Sequence, residues 1–291
     1  MVTGSSGFVG TNFIKSSPEY NIIEIDLLST KVENIDFSQC DCVFHLAALV
    51  HQMHGAPREK YFNINRDLTF NVAKRAKAQG VYHFIFMSTT KVYGESTKGM
   101  TVWDENSECK PVDPYGESKL QAEQLIRNIE DEHFKVAIIR SPLIYGPGVK
   151  ANMYNLIKLL DKYPVLPFGG IQNKRSMVCI GNLIAMAKQI INRAESGIFV
   201  AGDPQPVSTS ALSRLIVKNL NREVYFIRIP KLLISIFKFI KPSVILRIWG
   251  SLELENSFTN QKLDFVPPYT TEEGIREMVK WYCEEKQGYN K

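Results

Sequence analysis

No stretch of this 291-residue chain is both long and free of charge. Its most apolar run, Ile229 to Trp249, is interrupted by Lys231, Lys238, Lys241, Pro242 and Arg247, so it lacks the uncharged span of roughly 18 residues that a membrane-crossing helix needs. Two buried or surface-packed helices split by Pro242 are expected there. A helix lying on a membrane surface is the alternative, because aromatics are mixed with Lys and Arg. Cysteine is sparse: five, at positions 40, 42, 109, 179 and 283, an odd number without the paired spacing of a zinc site. They read as reduced thiols of a cytoplasmic protein, with neither a metal centre nor a disulfide framework. Long basic runs are missing too. The 35 Lys and Arg are scattered against 30 Asp and Glu, a net charge of +5 that argues against a nucleic-acid partner. Met1-Val2-Thr3-Gly4 has neither the basic n-region nor the apolar h-region of a signal peptide. No internal repeat or low-complexity linker occurs.

What is present is an ordinary globular composition, 44% hydrophobic and 22% charged, in a chain long enough for about two units. The first half alternates short apolar runs with amphipathic stretches. Strands are expected over 20–26, 42–46, 83–87 and 136–140, and helices over 71–79 and 118–129. Such alternation predicts an α/β fold with a doubly wound parallel sheet and right-handed crossovers. After Tyr145-Gly146-Pro147-Gly148 the rhythm changes to helices over 155–160, 182–192 and 210–220, and a last one over 272–284 that Thr271 would cap. A division into residues 1–148 and a smaller, mostly helical lobe of 149–291 follows, with some chain crossing between them.

Thr3-Gly4-Ser5-Ser6-Gly7-Phe8-Val9-Gly10 spaces glycines by three just after a first strand of only three residues, Met1 to Thr3. Glycine lets the backbone turn sharply and approach a pyrophosphate seated on a helix N-terminus. Asp26 ends the next strand, 22 residues after Gly4, where a carboxylate accepts hydrogen bonds from an adenosine ribose. An acid there repels a 2′-phosphate, which favours NAD over NADP, although Lys31 lies close in sequence.

Tyr115-Gly116-Glu117-Ser118-Lys119 opens a helix and places Tyr and Lys one turn apart on one face. A lysine ammonium about 4 Å from a tyrosine is worth about 4 kcal/mol at an effective dielectric near 20. Lys119, together with a positive nicotinamide ring, is therefore expected to bring Tyr115 towards neutrality, as a base that removes a hydroxyl proton requires. Thr89, after the apolar run Phe84 to Met87, would hydrogen-bond the same substrate oxygen.

With these motifs in order, the chain resembles the extended short-chain dehydrogenase/reductase family over nearly its whole length, specifically its nucleotide-sugar epimerases, reductases and dehydratases. Thr3 to Gly10 resembles the glycine loop, His45-Leu46-Ala47-Ala48 the motif lining the cofactor, and Asn65 the asparagine of the following helix. Ser88-Thr89 through Gly94 resembles the catalytic strand, Tyr115 and Lys119 the catalytic pair, and Arg140-Ser141-Pro142 through Gly148 the Arg-Pro…Tyr-Gly-Pro segment. The resemblance implies a Rossmann-type sheet and NAD held by Gly4, Gly7, Phe8, Val9, Gly10, Asp26, Leu46, Ala47, Ala48, Asn65, Ser88, Tyr115, Lys119 and Pro142. It implies a nucleotide-sugar substrate facing Thr89, Thr90 and Tyr115, its diphosphate met by Asn152 and clamped by Arg175, and a homodimer. Three departures stand out. The link from Asp26 to Asp41 is short and lacks its helix, Lys91 replaces the acid that dehydratases of the family use, and the C-terminal lobe is compact.

These residues imply an NAD-dependent nucleotide-sugar 4-epimerase acting on a UDP-hexose or UDP-N-acetylhexosamine through a transient 4-keto sugar. The alternative is an NAD(P)H-dependent UDP-4-keto-6-deoxy-hexosamine 4-reductase of surface polysaccharide biosynthesis. A non-catalytic dinucleotide sensor would lack one of Thr89, Tyr115 and Lys119, and all three are present. A lipid-linked sugar substrate would suit the Ile229–Trp249 stretch. His51 and His54 flank the loop near the site and read as exposed loop residues.

Overall fold

The computed structural model describes residues 1–50, 56–97, 102–230 and 242–288. Six parallel strands form the main sheet: β1 (Val2–Thr3), β2 (Glu24–Ile25), β3 (Cys42–His45), β4 (His83–Thr89), β5 (Lys135–Ser141) and, later in the chain, β9 (Gly197–Val200). Their spatial order is β2-β1-β3-β4-β5-β9. The chain leaves β1 for one edge and then crosses to β3 on its other side. Strand order therefore reverses between β1 and β3, which opens the crevice where α/β sheets of this kind bind ligands.

β4 and β5 are buried on both faces, as their near-continuous apolar sequences require. Side-chain alternation sends Ile85, Ala137 and Ile139 to one core, with Phe13 of α1 (Phe8–Lys15) and Leu183, Ala187 and Ile190 of α6 (Ile180–Arg193). It sends Phe84, Phe86, Val136 and Ile138 to the other, with Val72 and Ala76 of α3 (Thr69–Ala78) and Ala122 and Ile126 of α4 (Pro114–Arg127). The result is the expected doubly wound, Rossmann-type arrangement.

The expected strand over 20–26 shrinks to Glu24–Ile25, at an edge where Ile23 stays 40% exposed. The link to β3 holds only a 3-10 turn, Val32–Asn34, and adds no strand beyond β2. The helix expected over 71–79 is the end of a longer one. It begins as α2 (Arg58–Tyr61), widens through a seven-residue π segment, Phe62–Leu68, and continues as α3.

Past residue 148, α5 (Ala151–Lys162), α7 (Thr209–Leu220) and α10 (Thr271–Gly288) share a second core around Tyr145, Met153, Ile157, Ile216 and Val279. α6 and β9 return from this half to the main sheet. Thr270, not Thr271, caps α10: the Thr270 hydroxyl accepts from Glu273 N at 3.3 Å while the Glu273 carboxylate accepts from Thr270 N at 2.8 Å. The Ile229–Trp249 stretch lies partly outside the described residues, and its end forms α8 (Pro242–Trp249), followed by α9 (Ser257–Leu263). No helix among the described residues is long and apolar enough to cross a membrane.

Candidate active site

The glycine loop sits at the β1/β3 crevice. Gly4 adopts φ +66°, and a Cβ there would lie 2.7 Å from Ala47 N. Only glycine lets the loop pass so close to the residues after β3. Gly7 precedes α1, and a Cβ on Gly10 would lie 2.6 Å from Gly4 O, so helix and loop are in backbone contact. Thr3 Oγ1 accepts from Leu46 N at 3.2 Å and Ala47 N at 3.3 Å, and Leu46, Ala47 and Ala48 remain partly exposed along the crevice. Asp26 closes this side. Its exposed carboxylate accepts from Leu28 N and Ser29 Oγ, which hold its pKa below the usual carboxylate range. These close backbone approaches, with a helix N-terminus beside them and a fixed anion at the end of β2, fit a dinucleotide's pyrophosphate and ribose.

His45 is structural. It is buried between the hydroxyls of Thr3 and Thr69, each at 3.0 Å, and burial pushes its pKa down to about 3, so the ring is neutral. Asn65, expected along the cofactor, is fully buried with its amide engaged inside the protein. It accepts from Leu49 N at 2.8 Å and donates to Leu49 O at 3.0 Å and Ser118 Oγ at 3.1 Å. The π segment turns it inward, so it braces the loop after β3 against α4 rather than reaching into the crevice.

Thr89 ends β4 and Tyr115 lies in the first turn of α4. Asp113 caps that helix by accepting from Gly116 N at 2.7 Å, with Pro114 at the first helical position. The Thr89 side chain lies beside the Tyr115 hydroxyl and favours its ionised form. Lys119, one turn on, is 2% exposed, donates to Met87 O at 2.8 Å and lies 4.3 Å from the Phe86 ring centroid. The protein's own groups do not by themselves acidify the phenol. Burial pushes Tyr115 up to about 12, against the influence of Thr89, and pushes Lys119 down to about 7. Desolvation is the largest influence on both groups, ahead of every neighbouring charge.

Ser88, also expected at the cofactor, turns its hydroxyl to the carboxylate of Glu123. Glu123 is 2% exposed and pairs with Arg140 at 2.6 Å, and Arg140 in turn donates to Tyr93 Oη at 3.0 Å. Tyr115, Lys119 and Glu123 thus recur every four residues on α4, and the last of them ties the helix to β4 and β5. Lone removal of either partner would leave a buried charge uncompensated, at about 3–5 kcal/mol. Glu123 was missed in the sequence; its repeat at i+8 from Tyr115 was the available signal. Lys91, in the turn after β4, is bound by Asp113 and Glu95. Thr90 beside it is buried, as is Pro142 after β5.

Asn152 is exposed in the first turn of α5. Arg175 is partly buried and donates to Gly250 O at 3.1 Å and Leu246 O at 3.5 Å, at the C-terminal end of α8. It has no carboxylate partner among the described residues, and burial lowers its pKa. A cation so desolvated without a counter-ion is suited to an anionic ligand. His51 and His54 lie outside the described residues.

The chain matches the profile of the NAD dependent epimerase/dehydratase family over residues 1–202. The chain belongs to this family. It is, as the family's description has it, an NAD-dependent sugar-nucleotide epimerase or oxidoreductase, of the short-chain dehydrogenase/reductase type. A UDP-glucose 4-epimerase of Vibrio cholerae is 34% identical over 98% of this chain and 95% of its own length. An N-acetyl-alpha-D-glucosaminyl-diphospho-ditrans,octacis-undecaprenol 4-epimerase of Escherichia coli O157:H7 is 28% identical over 79% of this chain and 75% of its own. Among solved structures, UDP-glucuronic acid 4-epimerase from Bacillus cereus in complex with NAD superimposes with a TM-score of 0.76, at 19% identity, over 98% of both chains.

Proposed function

We propose that this protein is a nucleotide-sugar 4-epimerase that accepts a UDP-hexose or UDP-N-acetylhexosamine. The observation that carries the reading is the Thr89–Tyr115 hydroxyl pair at the end of β4, with Lys119 buried one turn behind it. The family's full set of proton-handling groups is present, and a relative matched over nearly its whole length bears that activity in its name.

Gly4, Gly7 and Gly10 with the N-terminus of α1 would hold the pyrophosphate of NAD, Asp26 the adenosine ribose, and Lys119 and Tyr115 the nicotinamide ribose. When bound, NAD supplies reversible hydride acceptance and the positive charge that this pocket otherwise lacks. Tyr115 takes the proton of the sugar's C4 hydroxyl and returns it after the sugar has presented its other face. Thr89 holds the same oxygen, and Lys119 supplies the neighbouring charge. Because the pocket itself leaves Tyr115 near 12, the phenol is activated only in the loaded complex. Arg175 and Asn152 would meet the diphosphate. The side chain at the dehydratase acid's position is Lys91, already ion-paired, so dehydration has no acid here.

A second substrate reading has its own support. Arg175 is held by the end of the apolar, basic Ile229–Trp249 stretch, and the Escherichia coli relative acts on a polyprenyl-diphosphate sugar. A lipid-linked diphosphate sugar would put its chain against such a stretch.

Proton NMR of UDP-glucose and UDP-N-acetylglucosamine, with substoichiometric NAD, tests the reading. The galacto epimer is expected to appear without net NADH, and Tyr115→Phe to slow it by about 10²-fold or more. No epimer, with NAD bound, would overturn the epimerase and direct the next assay to a 4-keto sugar and NAD(P)H.

A further inference from the structure

The C-terminal lobe carries a second feature unconnected with the reacting atoms. β7 (Val165–Leu166) and β10 (Tyr225–Phe226) pair in parallel, Tyr225 beside Val165 and Phe226 beside Leu166. Leu166 and Phe168 enter the core, at 6% and 5% exposure. The residues of opposite parity, Tyr163, Val165, Tyr225 and Ile227, are 43%, 50%, 69% and 53% exposed. No third strand joins this ribbon among the described residues. One face of it is therefore apolar and aromatic, open to solvent, and four side chains wide.

Cations frame that face. Arg214 and Lys218, one turn apart on α7, and Arg222 just past its end line a cleft of about 460 Å³ that also includes Tyr225 and Phe226. On the β7 side, Lys158 and Lys162 lie 5.6 and 5.2 Å from the ring centroids of Tyr154 and Tyr163. The nearby acids are few. Asp161 is held by Lys286, Glu272 by Lys218, and Glu223 lies in the cleft itself. From β10 the chain runs directly into Ile229–Trp249, which carries four cations and no Asp or Glu.

We propose that this face of the C-terminal lobe docks on an anionic lipid surface. Tyrosines and β-branched side chains at headgroup depth, rimmed by Lys and Arg, are the composition that interfacial attachment uses. Charge decides between a bilayer and a second copy of this chain. A two-fold contact would set the Arg214–Lys218–Arg222 row against its like, whereas anionic headgroups neutralise it. Attachment is to the surface, since no described helix can span. The proposal does not depend on the identity of the sugar.

The test is sedimentation of the full chain with vesicles of phosphatidylcholine and phosphatidylglycerol in equal parts, against phosphatidylcholine alone, at low and high salt. Partitioning to the anionic vesicles is expected to exceed that to neutral ones by about tenfold and to fall with salt. Tyr225→Ser with Ile227→Ser, and separately Arg214→Glu with Arg222→Glu, should each abolish the excess. Both pairs are exposed, so NAD affinity and thermal midpoint should stay at the parent's values. A parent that remains in the supernatant, or variants that sediment as the parent does, would overturn the proposal. So would a parent dimer made monomeric by Tyr225→Ser with Ile227→Ser and indifferent to vesicles, which would assign the face to a second copy. Vesicle binding needs no turnover, so its failure is distinct from failure of the epimerase assay.

Discussion

At the scale of single residues, the site holds its reactive groups in their unreactive protonation states. Burial favours a neutral phenol at Tyr115 and weakens the ammonium at Lys119, whose pKa drops to about 7 while Glu123 pulls it back up. Such a lysine costs stability. Its folded pKa lies below the ordinary 10.5, so the penalty is full below about pH 7, shrinks as pH rises, and vanishes near the unfolded value. Lys119→Met removes the penalty along with the function. Compared with the parent, its melting temperature should gain about 3 °C or more on going from about pH 10 to about pH 6. Calorimetry at the two pH values measures this, and a difference that does not change with pH would show that Lys119 is not desolvated. In the proposed mechanism the charge on Lys119 serves the loaded enzyme at the expense of the resting one.

At the scale of elements, the position of Tyr115 depends on how closely α4 approaches the turn after β4. A Cβ at Gly116 would lie 2.6 Å from Lys91 O, closer than real contacts allow, and Pro111 Cβ stands 3.2 Å away on another side. Gly116→Ala should therefore push the first turn of α4 off the 90–92 turn and separate Tyr115 from Thr89. A displacement near 1 Å predicts a fall in kcat of about 10²-fold with NAD affinity retained, since the glycine loop lies on another element. Steady-state kinetics with a fluorescence titration of NAD would separate the two. Thr89, Tyr115 and Lys119 could be placed near one another from sequence because they lie at a strand end and in the first two turns of one helix. β4 and β5 were legible as apolar runs buried on both faces. β2 was not: Ile22 and Ile23 resemble a strand, but at an exposed edge only Glu24 and Ile25 pair. The inward turn of Asn65 was hidden as well, because it depends on a π segment that residue spacing does not reveal. Spacing alone offered Glu123, at i+8 from Tyr115, but not its partners Ser88 and Arg140, which come from two other elements.

Over the whole molecule, one buried carboxylate gathers four elements between the main sheet and the C-terminal helices. Asp203 follows β9 and accepts from Tyr145 Oη at 2.5 Å, Cys179 N at 2.9 Å and Asn182 Nδ2 at 2.8 Å. Tyr145 also donates to Thr271 O at 3.3 Å, at the start of α10, and Asn182 donates to Tyr269 O at 2.8 Å. β6 (Leu143–Tyr145), α6, β9 and α10 therefore meet at this point, between the sheet and the lobe expected to choose the sugar. Burial raises the pKa of Asp203 despite its donors. Ionised Asp203 is thus a cost that the hydrogen bonds reduce, and the stability it lends is full at low pH and declines as pH rises through its folded value. Tyr145→Phe deletes one donor, leaves the carboxylate less compensated, and should destabilise the protein by about 1–3 kcal/mol at neutral pH. The loss should shrink at about pH 4, where the carboxyl is closer to neutral and needs its donor less. Urea denaturation at both pH values checks the sign. An equal loss at the two would mean that Asp203 does not change its protonation state between them, and would overturn the raised pKa.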